Sequence, residues 1–559
     1  MLNLKDTSTS SSTYTSFQTT TPYTFSTSSP DPEFECMYAP REEYPSDVET
    51  WFQGKKDWIT ELKEKKVPYN AGEMEWDGQN DPGNPYNWSK ARRWYLTATV
   101  ALLTLAATVG SSIYVGATAE MMEKWNISQT LALAGVSMYV IGMAFGPAIA
   151  APLSEVFGRK IVYCCGIPIT ACFTVGVGLS TGIAEFLVLR FFAALSSSGA
   201  LSVVAGTIND IWQPRERGVA MSLVCVAPMM GPVLGPIIGG FVSEYRVSDD
   251  PKIIGSLRWT MWVNLMFYAA VIVPIYLAPE TYKQTILKRR LRKQGLEISR
   301  RPTMASVVQF LTQKLFITLL KPMEMLVVEP IVFVLSLYTA VTFSVLFGFF
   351  ETYPVIFRGI YGMSLENSGL PFIGAGIGLI IGTLTFLMLD QFYYFRRWPD
   401  GYVGMKKNGL PVSATPESRL LGCMLGSFTL SPSLFWLAWT SRSDINYLVP
   451  AASGILFGFS MIQIFLSVLT YFVLSYPTES VASSLAANNI LRYLVAFPFP
   501  LFTVQMMKKL HVYWGVTVLA FIALILAPAP WVFMRYGPYL RNVSKYGYSA
   551  KKAKAVELS

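Results

Sequence analysis

From about residue 94 onward the chain alternates long apolar runs with short polar ones. A run of about 20 apolar residues matches one crossing of a bilayer core by an α-helix. Such runs cover residues 95–117, 129–152, 161–180, 185–208, 218–242 and 259–278. After a charged interval they resume over 331–351, 366–389, 420–439, 448–471, 481–506 and 513–533, the last two being the least cleanly separated. The pattern predicts an all-α membrane protein with twelve transmembrane helices in two six-helix bundles. The bundles would span 94–279 and 331–533, with a central loop over 280–330 between them. Residues 7–29 are mostly Ser and Thr without apolar periodicity. Such a stretch cannot bury enough surface to offset its ordering entropy. Residues 1–93 are therefore expected to form a largely disordered tail, with a short helix near 51–66 and no signal peptide. Residues 534–559 read as a second polar tail.

Composition sharpens this picture. Hydrophobic residues make up 52% of the 559 and charged residues only 14%, where soluble domains carry roughly a quarter charged. Mean hydropathy is +0.38. The formal charge of +9 does not point to nucleic acid, because the basic residues flank apolar runs and read as orientation signals. Lys90, Arg92, Arg93, Arg159, Lys160, Arg215, Arg217, the cluster from Lys288 to Lys293, Arg396, Arg397, Lys406, Lys407, Arg535, Arg541 and Lys545 all fall on one side if both termini are cytoplasmic. The other side is poorer, with Lys508 and Lys509 as the exception. Its first loop carries a short sequon, Asn126-Ile-Ser128.

Several classes of chemistry are excluded. Of six cysteines, five lie in apolar runs and none has metal-ligand or disulfide spacing. His511 is the one histidine, in a predicted loop, and no G-x-x-x-x-G-K-[ST] run binds nucleotide phosphates. The chain therefore reads as no enzyme, without a metal site or cofactor, and any work it does draws on an ion gradient.

An internal repeat is visible at the basic ends. Glu155 precedes Arg159-Lys160 after the second run, and Asp390 precedes Arg396-Arg397 after the eighth. Parallel six-helix repeats are one known transporter plan. Other motifs lie around it. Asp81-Pro-Gly-Asn-Pro-Tyr-Asn-Trp88 precedes the first run, and Ala151-Pro-Leu-Ser-Glu-Val-Phe-Gly158-Arg159-Lys160 follows the second. Leu187-Val-Leu-Arg190 lies in the fourth, and Gly231-Pro232-Val-Leu-Gly235-Pro236-Ile-Ile-Gly239-Gly240 in the fifth. Pro279-Glu280-Thr281 closes the sixth, Phe349-Phe350-Glu351-Thr-Tyr-Pro354 the seventh, and Asn488-Asn489-Ile-Leu-Arg492 lies in the eleventh. From Asp81 to Tyr548 the chain resembles the major facilitator superfamily, specifically the fungal twelve-spanner drug:proton antiporters. Ala151 stands where the pattern has Gly, Glu155 where it has Asp, and Ser475 where a carboxylate commonly precedes the tyrosine at the eleventh helix.

The resemblance implies export of drugs, toxins or polyamines, small amphiphilic or cationic compounds, across the plasma membrane by a monomer, with the proton as coupling ion. It implies a cytoplasmic latch of Glu155, Gly158, Arg159, Lys160, Asp210, Asp390 and Arg396. Arg190, Glu351 and Arg492 are the coupling candidates. An arginine inside an apolar run is costly and should face water or a partner, or else snorkel to the interface. Arg190 cannot itself release a proton near neutral pH. The fifth-helix glycines permit close backbone approach, as a seam or hinge between the bundles or as plain packing. Candidate cavity residues, from their mix of aromatic and amide groups, are Tyr114, Tyr139, Asn264, Tyr338, Phe349, Phe350, Gln463, Asn488 and Asn489. The acids sit at predicted helix ends, Glu351 among them, so the sequence does not identify a proton carrier. Uptake of a nutrient by proton symport, or signalling without transport, are the other readings.

Overall fold

The computed structural model describes residues 76–547 except 79, 214–215, 246–249, 251–252, 294–319, 396–402, 406–410 and 414–415. The predicted tail helix and Arg396 lie outside the described residues. Among the described residues, eleven stretches are long and apolar enough to cross a membrane. The first six are α1 (Lys90–Ser112), α2 (Gln129–Phe157), α3 (Arg159–Leu179), α4 (Ile183–Ile211, broken at Ser198), α5 (Arg217–Tyr245) and α6 (Gly255–Leu277). Then come α7 (Pro330–Tyr353), α8 (Phe372–Met388), α9 (Leu420–Thr440), α10 (Leu448–Ser475), α11 (Thr478–Ala496), α12 (Phe499–Leu526) and α13 (Ala529–Val543).

Together with α11 the eleven stretches make twelve crossings. Phe499–Val543 is 45 residues long, which would extend about 67 Å as one helix, roughly twice a bilayer core. It is interrupted at His511, whose φ of 57° and ψ of 159° are not helical. α11, with Asn488, Asn489 and Arg492, is too polar to qualify as a span alone. Joined end to end with the first part of α12, it makes the eleventh crossing; the rest of α12 with α13 makes the twelfth. The expected loop around His511 is thus a single-residue break.

Local chemistry sets the helix ends. Ser89 and Ser128 cap α1 and α2 by accepting from the Arg92 and Leu131 amides. Two helices run on past their predicted ends through π-helical turns. α7 continues over Pro354–Ile360, and α8 over Leu389–Phe395. Pro354 lacks an amide hydrogen, and a wide turn accommodates that loss. Glu351 is therefore not a helix-end residue as expected; it lies about two turns inside, 3% exposed. Between α8 and α9, β1 (Val403–Met405) pairs antiparallel with β2 (Pro411–Ser413), Gly404 opposite Val412.

The bundles meet through α2 against α11 and α5 against α8. Ser137 donates to the Phe497 carbonyl at 2.7 Å, and Gly376 faces Val233 and Met230. Because α2 and α8 hold equivalent places in the two halves, as do α5 and α11, this is one contact made twice. The glycine face of α5, expected between the bundles, packs against α1 inside its own bundle. A Cβ at Gly231, Gly235 or Gly239 would run into Thr108, Ser112 or the Ile113 carbonyl respectively. Val233 and the last turns of this motif reach the other half, where Gly369 abuts the Pro236 carbonyl and Gly240 the Leu365 carbonyl.

Candidate substrate and coupling site

Arg190 on α4 is 1% exposed and does not snorkel. Its Nη1 donates to the Gly110 carbonyl at 2.5 Å, Nη2 to Ser111 at 2.7 Å and Nε to Gly135 at 3.3 Å. Gly110 and Ser111 belong to the last turn of α1, whose carbonyls have no partner further along the helix. The guanidinium thus caps the negative end of α1 while gripping α2. Tyr114 and Tyr139 sandwich it, with ring centroids at 4.5 and 4.4 Å. Their hydroxyls donate to the carbonyls of Ala132 and Ala107. These two tyrosines are walls of the Arg190 site.

At the basic face, α2 turns sharply into α3 at Gly158, with φ +98°. A side chain here would collide with the Glu280 carboxylate. Glu280, 6% exposed, accepts from the amides of Arg159 (2.9 Å), Lys160 (3.3 Å), Thr281 and Tyr282 (both 3.0 Å), so it caps the positive start of α3. Arg159 contacts Asp210 at 3.3 Å and Ser154 at 2.6 Å, and Lys160 donates to the Tyr276 carbonyl at 2.7 Å. Gly158, Arg159, Lys160 and Asp210 are therefore brought together around Glu280. Glu155 is exposed on the last turn of α2. In the second half, the buried Asp390 pairs with Arg419, just before α9, and lies 3.0 Å from where a Gly218 Cβ would be. Arg419 precedes α9 much as Arg159 opens α3. Glu417 pairs with Arg541 at 2.9 Å.

The segment before α1 is anchored at the same face. Asp81, buried, accepts from Arg290 Nη1 at 2.7 Å and Nη2 at 2.8 Å and from the Gly83 amide at 2.7 Å. Arg290 holds the Asp81 carboxyl well below the usual carboxylate range, and its own pKa rises in turn. A depressed acid keeps its stabilising charge until pH falls far below the ordinary Asp value, so this joint stays closed at physiological pH. Arg290 belongs to the short helix Lys283–Lys293, which buries Leu287 and Leu291. The Asp81–Trp88 motif thus fixes the start of the central loop to the first bundle. Glu280, Arg290 and Arg419 were not among the predicted site residues. Glu280 and Arg419 could have been found by their place beside apolar runs, but nothing separates Arg290 from the other basic residues of its cluster.

Glu351 and Arg492 are buried charged side chains with idle atoms. Glu351 Oε1 is buried without a hydrogen-bond partner and lies within electrostatic reach of the Tyr114 hydroxyl. Arg492, 6% exposed, leaves Nε and Nη1 without partners. Its Nη2 donates to Asn489 Oδ1 at 2.9 Å and to the Tyr493 hydroxyl at 3.2 Å. Arg492 borders a pocket between the bundles, lined by Met229 of α5, Thr339, Thr342 and Phe343 of α7, and Met461, Ile464 and Phe465 of α10. The free space, about 10 Å³ open to the centre of a water molecule, amounts to about one water.

None of the nine predicted cavity residues lines this pocket. Asn488 and Asn489 stand just behind it, bonded to Thr339 (2.6 Å) and Arg492. Tyr338 donates to Ser427 at 2.7 Å and Gln463 to the Gly382 carbonyl at 3.1 Å. Asn264 is buried between helices of the first bundle, with its Oδ1 unpartnered. Phe349 stacks on Tyr353 at 5.0 Å, and Phe350 packs on Phe347 and Phe372. Aromatic content alone does not separate cavity walls from packing between helices.

Two related six-helix bundles, with buried charges near their junction, define a polytopic membrane protein of the carrier type. The family model of the Major Facilitator Superfamily matches residues 100–500. Polyamine transporter 4 of Saccharomyces cerevisiae is 44% identical over 507 residues, covering 87% of this chain and 75% of that protein. The multidrug transporter mdrA of Aspergillus fumigatus is 36% identical over 486 residues, covering 86% and 76%. Among solved structures, the proton:xylose symporter XylE bound to 6-bromo-6-deoxy-D-glucose superposes with a TM-score of 0.58 at 16% identity, covering 80% of this chain and 97% of that one. The chain belongs to the major facilitator superfamily, within a set of fungal multidrug and polyamine transporters. It is a membrane transporter and not an enzyme.

Proposed function

We propose that this transporter exports small amphiphilic compounds, of drug or polyamine type, from the cytoplasm across the plasma membrane in exchange for protons. In this reading the basic face and both termini are cytoplasmic, and one chain holds a complete path. The observation that carries the coupling is Glu351. A buried carboxylate oxygen with no donor is costly when ionised, so its charge is tolerated only when water or a cationic group reaches it. Such a group can carry a proton between two accessibility states. Arg190, by contrast, has committed its donors to backbone carbonyls and supports the structure around the path.

The arrangement of contacts fits a state closed on the far side. Ser137 to the Phe497 carbonyl, Gln505 to Thr130 at 2.7 Å and Tyr245 to Glu366 at 2.6 Å all join the bundles away from the basic face. Relatives named as a polyamine transporter and as a multidrug transporter support the substrate range. The test uses inside-out vesicles from expressing cells and a panel of spermidine, fluconazole and rhodamine 123. An acid-interior gradient is expected to drive uptake of at least one compound, and a protonophore to stop it. Uptake that survives collapse of the gradient, or that appears only with the gradient reversed, defeats this reading.

A further inference from the structure

Arg492 borders the pocket between the bundles. Among the described residues no carboxylate pairs with it, and its Nε and Nη1 find no acceptor although the residue is 94% buried. Buried polar atoms are nearly always paired, and an unpaired cation is the costliest exception. The guanidinium is held by aromatic faces instead: Phe343 at 4.7 Å, Phe465 and Tyr493 at 4.8 Å from its carbon. The neighbouring hydroxyls are already committed. Thr339 donates to Asn488 and Thr342 to the Tyr338 carbonyl. The pocket therefore presents one fixed cationic donor, walls of Phe, Ile and adaptable Met, and no anion.

We infer that Arg492 is a substrate-binding residue that takes the carboxylate or phenolate oxygen of an aromatic organic anion. This rests on the reading of the chain as an exporter of amphiphiles and narrows its substrate class. The complement of the pocket is a flat apolar body with one anionic oxygen at its edge. A polyammonium compound would meet like charge here and has to bind elsewhere. The present free space is about one water, so a ligand enters only as the bundles part. Because Met229 comes from the first bundle and the other lining residues from the second, that motion widens this pocket.

Fluorescein and rhodamine 123 share a xanthene frame and differ in charge, so they separate the alternatives. Binding of each to the full-length protein in nanodiscs is read by fluorescence anisotropy, with empty nanodiscs as the reference. The wild type is expected to bind fluorescein, and R492Q to weaken that binding at least tenfold while leaving rhodamine 123 within twofold; R492K should recover part of the loss. On the wild type alone, benzoate should displace fluorescein and spermidine should not. The inference is overturned if the wild type binds no fluorescein, if R492Q leaves fluorescein binding unchanged or weakens both dyes alike, or if spermidine is the better competitor. Proton-driven uptake of rhodamine 123 or spermidine alongside absent fluorescein binding would sink this inference and leave the export reading standing.

Discussion

Replacing Arg190 with methionine, of similar length but without charge, is expected to destabilise the protein by about 3 kcal/mol and to abolish transport. The loss comes from the end of α1. Gly110 and Ser111 would keep buried carbonyls with no donor, and the Tyr114–Tyr139 sandwich would close on an apolar chain that offers them no charge. Bonds to a charged donor are worth roughly 1.5–3 kcal/mol each, and they do not add fully. Lysine should restore part of the stability, since it keeps the charge at the helix end but cannot reach three carbonyls on two helices at once. The thermal unfolding midpoint in detergent gives the check. An unchanged midpoint for R190M with transport lost would instead favour a role in the proton step.

Alanine at Gly239 should be nearly as damaging, because the added methyl meets backbone. Its Cβ would fall inside the contact distance of the Ile113 carbonyl oxygen, and a Cβ at Gly116 would in turn lie 2.8 Å from the Gly239 carbonyl. No side chain can swing aside, so α1 and α5 have to separate along their length. Overpacking of this kind costs about 1–3 kcal/mol, and here it also shifts the end of α1 that Arg190 caps. Gly166 provides the control, since its nearest neighbour would be 3.6 Å away. G239A should express poorly and transport little, while G166A should match the wild type. Equal behaviour of the two would show that the α1–α5 contact does not matter.

The fold was legible because bilayer crossing imposes a length and a composition on each helix, and ten crossings stood out on that basis. The last two were harder. α11 is polar where it carries Asn488, Asn489 and Arg492, and the following break is a single residue. Glu351 was misplaced for a related reason. Pro354 looks like a helix terminator in sequence, whereas a π-helical turn carries the chain past it and buries the carboxylate. The motif residues Gly158, Arg159 and Asp210 were found because turn chemistry and charge spacing are local. Glu280, Arg419 and the lining of the interbundle pocket depend on which helix faces meet, and apolar patterning does not encode that when both lipid and protein neighbours are apolar.

The most direct test of the coupling claim follows proton movement during transport by the purified protein in liposomes loaded with a pH-sensitive dye. Addition of the best-transported compound of the vesicle panel should shift the internal pH for the wild type. For E351Q it should not, although exchange of labelled for unlabelled substrate continues at a near wild-type rate. If E351Q still moves protons with substrate, Glu351 is not the carrier and the coupling mechanism proposed for this transporter is wrong.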